Sequence, residues 1–296
     1  LHGMLWEPEG VAVRAVLQIC HGVAEHIARY DGFARALNEQ GIVVAGHDHL
    51  GHGKSLPEGG TPVYFGDGNT WNTVVDDIYV LHQRLKQRYP DVPLCIMGHS
   101  MGSFLTRTYL IRYPGTVKAA VIMGTGWQPR AAITGGLALA NAIAAVSGEN
   151  ATSELVTELA FGSYNKLFAP NRTKVDWLSA DESNVDDYIA DPLCGADATV
   201  GLFRQMLHGI RFNQRQSHLR QMDREMPVLF VAGDKDPVGS CGKGVRQTYD
   251  AFRAAGMRDC TLKLYPGLRH EILNEKAYAA DITKNIEAWL LSRLEK

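Results

Sequence analysis

The stretch Gly98-His99-Ser100-Met101-Gly102 constrains this chain more than any other. It sets a serine between two glycines in the pattern G-x-S-x-G. Ahead of it lies Pro93-Leu94-Cys95-Ile96-Met97, a short apolar run of the kind a buried strand shows. Behind it, Phe104, Leu105, Thr108, Tyr109 and Ile111 recur at roughly helical spacing until Pro114 stops the pattern. The expected local structure is strand, tight turn, helix, with Ser100 at the turn. Such a turn must lift the serine oxygen clear of the sheet. Side chains at positions 98 and 102 would collide with the neighbouring strand and helix, so glycine stands at both. The start of the helix also offers unpaired N–H groups and the positive end of a dipole, which favour an oxyanion beside them. Ser100 is therefore the candidate nucleophile.

Around this unit, apolar segments alternate with helical patterns. Residues 1–8 read as an edge strand, 12–20 and 42–45 as further strands, 30–39 and 71–88 as helices, and 117–123 as a buried strand. The alternation predicts an α/β fold, a mostly parallel sheet with helices on both faces. It stops after Gly124 and resumes at Val228. The segment between is too long for a structureless loop in a compact domain. Helical patterns at 131–146, 153–161, 185–189 and 199–212 make it an inserted helical cap. The expected division is a core of residues 1–124 and 222–296 with a cap of 125–221. The core closes with a helix near 244–255, a strand at 261–265 and a helix over 277–294.

Composition excludes some classes. The formal net charge is −2, whereas nucleic-acid binders carry a clear basic excess, so no nucleic-acid partner is expected. The five cysteines (Cys20, Cys95, Cys194, Cys241 and Cys260) are dispersed, odd in number and free of any C-x-x-C. That pattern fits reduced thiols and a cytoplasmic location better than a disulfide framework. No signal-peptide pattern opens the chain, which starts at Leu1 rather than Met. Nothing in the sequence indicates an oligomeric state.

A serine hydroxyl is a weak nucleophile and needs an adjacent base, itself oriented by a third group. In the expected fold these follow in the order Ser, Asp or Glu, His. His208 and His218 fall in or beside the cap helices and read as surface or packing residues. His270 follows a strand and a turn and leaves the sheet edge where a base reaches Ser100. The segment Gly233-Asp234-Lys235-Asp236-Pro237-Val238 offers two acids, Asp234 and Asp236. An oxyanion hole needs two backbone donors: the N–H of Met101, directly after the nucleophile, and that of Val23, in the loop opened by His21-Gly22. His21 reads as shaping that loop.

The run His47-Asp48-His49-Leu50-Gly51-His52 resembles a metal-ligand cluster. Metallohydrolases with H-x-H-x-D-H place an acid directly before the last histidine, and here Gly51 stands there. A zinc site also needs further ligands. No metal is expected, and the loop reads as a buttress of the sheet edge.

Taken together, the segments 21–26 with Arg29-Tyr30, 48–55, 98–102, 233–236 and His270-Glu271 resemble serine hydrolases of the α/β-hydrolase fold. Within them they are similar to the monoacylglycerol lipase and lysophospholipase group. The resemblance spans nearly the whole chain, although the chain starts at that family's second strand. It implies Asp236 rather than Asp234 as the acid, because the family's acid stands three positions after the glycine. It implies hydrolysis of small carboxylic esters through an acyl-enzyme, with Ser100, His270 and Asp236 as the triad and no metal or organic cofactor. Glu25, His26 and Arg29 either line a polar end of the pocket or brace the loop through a salt bridge.

Two other readings share the core. A prolyl aminopeptidase would hold its substrate's amine with acidic cap residues; Glu149, Glu154 and Glu158 are available, but they read rather as an ordinary solvated helix face. A non-enzymatic small-molecule receptor would keep the triad without turnover. The apolar stretch 135–146 is shorter than the ~20 residues a bilayer span needs. It suits transient contact of the cap with a membrane surface or, preferably, the lining of an acyl pocket or the cap–core contact.

Overall fold

The structure, a computed structural model, describes residues 1–294. Its strands are Gly3–Trp6 (β1), Ala15–Cys20 (β2), Ile42–His47 (β3), Leu94–His99 (β4), Ala120–Met123 (β5), Val228–Gly233 (β6) and Cys260–Tyr265 (β7). Strands β2 to β6 are buried along their whole length. A strand apolar on both sides must be covered on both, the condition of inner strands in a parallel sheet. Among the described residues the strands form one sheet in the order β1-β3-β2-β4-β5-β6-β7. Only β1 runs antiparallel, to β3.

The helices are Asp31–Asn38 (α1), Trp71–Arg88 (α2), Met101–Arg112 (α3), Arg130–Ser147 (α4), Glu154–Thr157 (α5), Ser163–Lys166 (α6), Glu182–Ala190 (α7), Val200–Asn213 (α8), Gln216–Leu219 (α9), Lys243–Ala254 (α10) and Ala279–Leu294 (α11). Side chains alternate across the sheet with the two-residue period of a strand. From β4, Cys95 and Met97 join the cluster that holds Leu37 of α1 and Ile282 and Leu290 of α11. Ile96 joins the opposite cluster with Ile78 of α2, Leu105 of α3 and Phe252 of α10. The sheet therefore has helices on both faces.

Between β5 and β6 the chain carries helices α4 to α9, with short turns at Glu158–Gly162 and Asp176–Leu178; among the described residues its β structure is one isolated bridge between Thr152 and Thr199. Helix α8 seats this segment on the core. Asn213 Nδ2 donates to the Phe104 carbonyl (2.8 Å), and its Oδ1 accepts from Thr108 Oγ1 (2.8 Å). The Trp71 indole donates to the same hydroxyl (3.0 Å). Local detail departs from the sequence reading most clearly within this segment. The helix expected over 153–161 breaks into α5, a wide π turn at Glu158–Gly162, and α6. The pattern at 185–189 extends to the whole of α7, because the Asp181 side chain caps it by accepting from Ser183 N–H (3.0 Å).

Candidate active site

Ser100 sits between β4 and α3 with φ 54° and ψ −122°. A non-glycine residue there costs on the order of 1–3 kcal/mol, so its surroundings must hold it. Ser100 N–H donates to the Met123 carbonyl of β5 (3.1 Å), and Ser103 N–H returns to the Ser100 carbonyl (2.9 Å). The two glycines meet the steric demand from opposite sides. An ideal Cβ at Gly98 would strike the Gly102 carbonyl and Thr106 Oγ1 in the helix. One at Gly102 would strike the Cys20 carbonyl at the end of β2.

His270 follows β7, and Asp236 follows β6. The imidazole Nδ1 lies 3.0 Å from Asp236 Oδ1, and both side chains are buried. The same Oδ1 accepts from Val238 N–H (2.9 Å), which fixes the carboxylate. Among the described residues neither ring nitrogen meets hydrogen-bond geometry: Nδ1 stands at ion-pair distance from Asp236, and Nε2 has no partner. Gly124, at the end of β5, lies against this ring: a Cβ there would sit 3.0 Å from His270 Cε1. Asp234 does something else. Its Oδ1 accepts from Gly267 N–H (2.8 Å) and ties the β6 turn to the β7 turn.

The loop after β2 comes close to Ser100. An ideal Cβ at Gly22 would lie 3.1 Å from the Ser100 Cβ. Strands β2 and β4 are neighbours, with Cys20 paired to Gly98, where the strand order reverses. Ligands of open α/β sheets bind at that reversal. Among the described residues, the N–H groups of Val23 and Met101 have no acceptor outside the ladders and helices, and a helix's first N–H has none within it.

Two chambers meet at Ser100. One of about 350 Å³ is walled by Phe104, Ile133, Leu139, Phe203, Met206 and other largely apolar side chains. The other, about 1170 Å³, mixes polar residues such as Thr152, Asn165, Lys174 and Asp197 with Leu155 and Leu178. Trp177 belongs to both walls, and its ring centre lies 5.1 Å from that of His270. The His270 loop is anchored to the helical segment: His270 N–H and Glu271 N–H both donate to the Leu178 carbonyl (3.1 and 2.8 Å). Sequence reasoning missed Trp177, Gly124 and His99. Only the last carried a local signal, its place beside Ser100.

Behind the site lies a buried ionic network. Arg29 bonds Glu25 Oε2 (2.9 Å) and grips Glu271 with both terminal nitrogens (2.6 and 2.8 Å). Glu25 also accepts from Tyr30 (3.0 Å), and its Oε1 lies 3.3 Å from His99 Nδ1. Burial alone would raise the Glu25 carboxyl. The His99 hydrogen bond and the Arg29 charge reverse that and hold it well below the usual carboxylate range. Glu25 reaches the wall of the larger chamber, but His26 and Arg29 do not line it; Arg29 is occupied by two carboxylates and His26 by Asp191 (2.8 Å).

The histidine run behaves as a buttress. His21 Nε2 accepts from His49 N–H (3.0 Å), so its proton lies on Nδ1, which donates to the Gly22 carbonyl (2.7 Å). Asp48 accepts from Ile27 N–H (2.8 Å) and Lys54 N–H (2.9 Å). The His21 ring centre is 4.2 Å from His49 and 5.5 Å from His52. Burial pushes His21 and His47 down to about 4 and His52 to about 3, with His49 also well below its ordinary value. These rings fold neutral, while the unfolded chain takes up protons near pH 6.5. Their stability is full above pH 6.5 and is lost as pH falls toward 4, by up to about 1.4 kcal/mol per unit for each ring. His99, raised by Glu25 against the effect of burial, has the opposite sign but is a single group. Urea midpoints should therefore fall steadily from pH 7 to pH 5. A flat profile over that range would contradict the buried, neutral cluster.

The parallel sheet, with its strained serine at the end of a central strand, defines the class: a hydrolase of the α/β-hydrolase fold. More narrowly, the chain belongs to the serine aminopeptidase S33 family, whose model it matches over residues 11–277. A monoacylglycerol lipase from Mycolicibacterium smegmatis is 31% identical over 98% of this chain and 92% of its own length. A monoglyceride lipase from Mus musculus is 28% identical over 98% of this chain and 86% of its own. The crystal structure of a thermostable carboxyl esterase from Bacillus coagulans superposes with a TM-score of 0.92 at 26% identity, covering 99% of this chain and 94% of that one.

Proposed function

We propose that this protein is a serine carboxylic-ester hydrolase that cleaves monoacylglycerols or similar small lipid esters through an acyl-enzyme. The observation that carries this reading is the junction of an apolar chamber and a larger, more polar one at a single serine. An acyl chain suits the first and a glycerol-like alcohol the second. The near full-length likeness to two lipases named for monoglycerides supports the same substrate class.

In this mechanism Ser100 Oγ attacks the ester carbonyl while His270 Nε2, free of other partners, takes its proton. Asp236, 3.0 Å from Nδ1, orients the ring and stabilises it once charged. The carbonyl oxygen, now negative, takes hydrogen bonds from the Val23 and Met101 N–H groups, each such donor being worth ~10²–10³ in rate. Collapse breaks the bond to the alcohol, which leaves with the proton from His270. Water then repeats the sequence on the acyl-enzyme and frees the acid and Ser100. The helical segment 125–221 acts as a cap that excludes bulk water.

Each added methylene buried in the apolar chamber contributes roughly 0.8 kcal/mol. Along an acyl series on one alcohol, kcat/KM should rise roughly fourfold per carbon until the chamber is full, then level off. Monoacylglycerols should exceed triacylglycerols, whose extra chains do not fit a capped site. A flat acyl profile, or a preference for prolyl amides, would move the protein to the aminopeptidase reading. Two of that reading's acids are already engaged: Glu149 with Arg204, and Glu158 with Lys166 (2.6 Å).

Contact with a lipid surface belongs to the same proposal. The apolar stretch read as 135–146 lies within α4, 18 residues long, so by length and composition it is the one helix among the described residues that qualifies as a span. Its buried residues are Ile133, Leu137 and Ala140, and Ile133 lines the apolar chamber. Much of the rest is uncovered, with Val146 88% exposed. A helix with one stripe on the site and another facing outward suits resting on lipid rather than crossing it. Co-sedimentation with neutral vesicles should fall when Val146 becomes glutamate; equal binding of both forms would exclude α4 as the contact.

A further inference from the structure

Away from Ser100, one group of side chains has metal-ligand chemistry that ester hydrolysis leaves unused. His26, Asp191 and Cys194 present ligand atoms within 4.8 Å of one another, the one such set of three among the described residues. The histidines 47, 49 and 52, singled out by sequence, do not converge in this way. His26 lies on the core loop after β2, while Asp191 and Cys194 lie on the loop after α7. Neighbouring contacts hold the two loops together. Gly195 N–H and the Tyr188 hydroxyl both donate to the Ala24 carbonyl (3.0 Å each). Asp191 is oriented as a ligand would be. Its Oδ1 accepts from Leu193 N–H (2.9 Å), which leaves Oδ2 facing His26 Nε2 at 2.8 Å. Cys194 N–H donates to the Asp191 carbonyl (3.0 Å), and Gly195 (φ 76°) turns the chain just beyond the thiol.

We propose that His26, Asp191 and Cys194 form a binding site for a divalent transition metal, zinc by preference, at the seam between the core and the helical segment. Imidazole and thiolate together select zinc over magnesium or calcium, which take oxygen ligands. Nitrogen, sulfur and oxygen donors from three residues leave a fourth tetrahedral position for water. With bonds of ~2.0–2.3 Å, tetrahedral donors stand roughly 3.3–3.8 Å apart, so closure on the ion needs movements of about an ångström. Binding forms three metal–ligand bonds and breaks the His26–Asp191 hydrogen bond. The Cys194 thiol releases its proton to solvent, and His26 binds through Nε2 as a neutral ring with its proton on Nδ1. Ala24, Gly195 and Ala196 line the larger chamber, so the ion would clamp one wall of the site without touching the reacting atoms.

The test uses the whole chain, freed of metal with a chelator and then titrated separately with Zn²⁺ and Co²⁺. One saturable equivalent of Zn²⁺ should bind and raise the melting temperature. Co²⁺ should give a thiolate charge-transfer absorption with intense tetrahedral bands. Cys194→Ser, a conservative change at a half-buried position, should weaken Zn²⁺ binding by more than the ~10–100-fold lost with an outer-shell partner. It should also abolish the cobalt charge-transfer band while leaving metal-free stability unchanged. Cys241→Ser, at the exposed thiol, should change neither. Absence of saturable binding, a cobalt–thiolate band that survives in Cys194→Ser, or its loss in Cys241→Ser would overturn the proposal. None of these readouts depends on ester hydrolysis.

Discussion

Ser100→Ala should abolish reaction with a fluorophosphonate and lower kcat by about 10³–10⁶-fold. Ser100 and His270 line the same chamber, and His270 Nε2 has no hydrogen-bond partner among the described residues. The variant should fold. Alanine removes one oxygen and leaves the strained backbone to the Met123 and Ser103 hydrogen bonds that already hold it. Its melting temperature should stay near, or rise slightly above, that of the parent. Undiminished labelling of this variant would remove Ser100 from the mechanism.

The second large effect separates two aspartates two residues apart. Asp236→Asn should lower kcat by about 10⁴-fold, because an amide offers no charge to the imidazolium and favours the wrong tautomer. Asp236 is fully buried and lies 3.0 Å from His270 Nδ1. Asp234→Asn should cost less than tenfold. Its side chain accepts one backbone hydrogen bond from Gly267, and an asparagine oxygen accepts it equally well. Steady-state kinetics on one soluble ester measures both. The reverse ranking would mean that Asp234 serves the histidine and that the β6 turn is two residues out of register.

What the sequence made legible follows the range of the interactions. The turn at Ser100 is local: its two glycines are required by clashes within ten residues on one side and with the adjacent strand on the other. The continuous apolar runs of β2 to β6 announced a sheet covered on both faces. Asp234 and Asp236 were not separable by composition or spacing, and the resemblance alone chose between them. Their difference lies in burial and in which turn each one ties, which are properties of the assembled sheet. Arg29 was the same kind of case. Its fork closes on Glu271, 242 positions away, and no local pattern announces such a pair. Trp177 stood outside any helical period and gave no sign that its ring would face His270. The apolar stretch of α4 was visible, but how much of it stays uncovered depends on where α8 packs.

The central claim is that ester cleavage passes through an acyl group on Ser100. The most direct measurement is rapid-quench intact-mass analysis after mixing the enzyme with a monoester whose acyl-enzyme hydrolyses slowly, followed by peptide mapping. The account predicts a burst of one equivalent of released alcohol per chain. It also predicts a transient mass gain equal to the acyl group less one hydrogen, carried by the peptide that contains Ser100. Release of alcohol with no burst and no adduct, or an acyl group mapped to another residue, would contradict it.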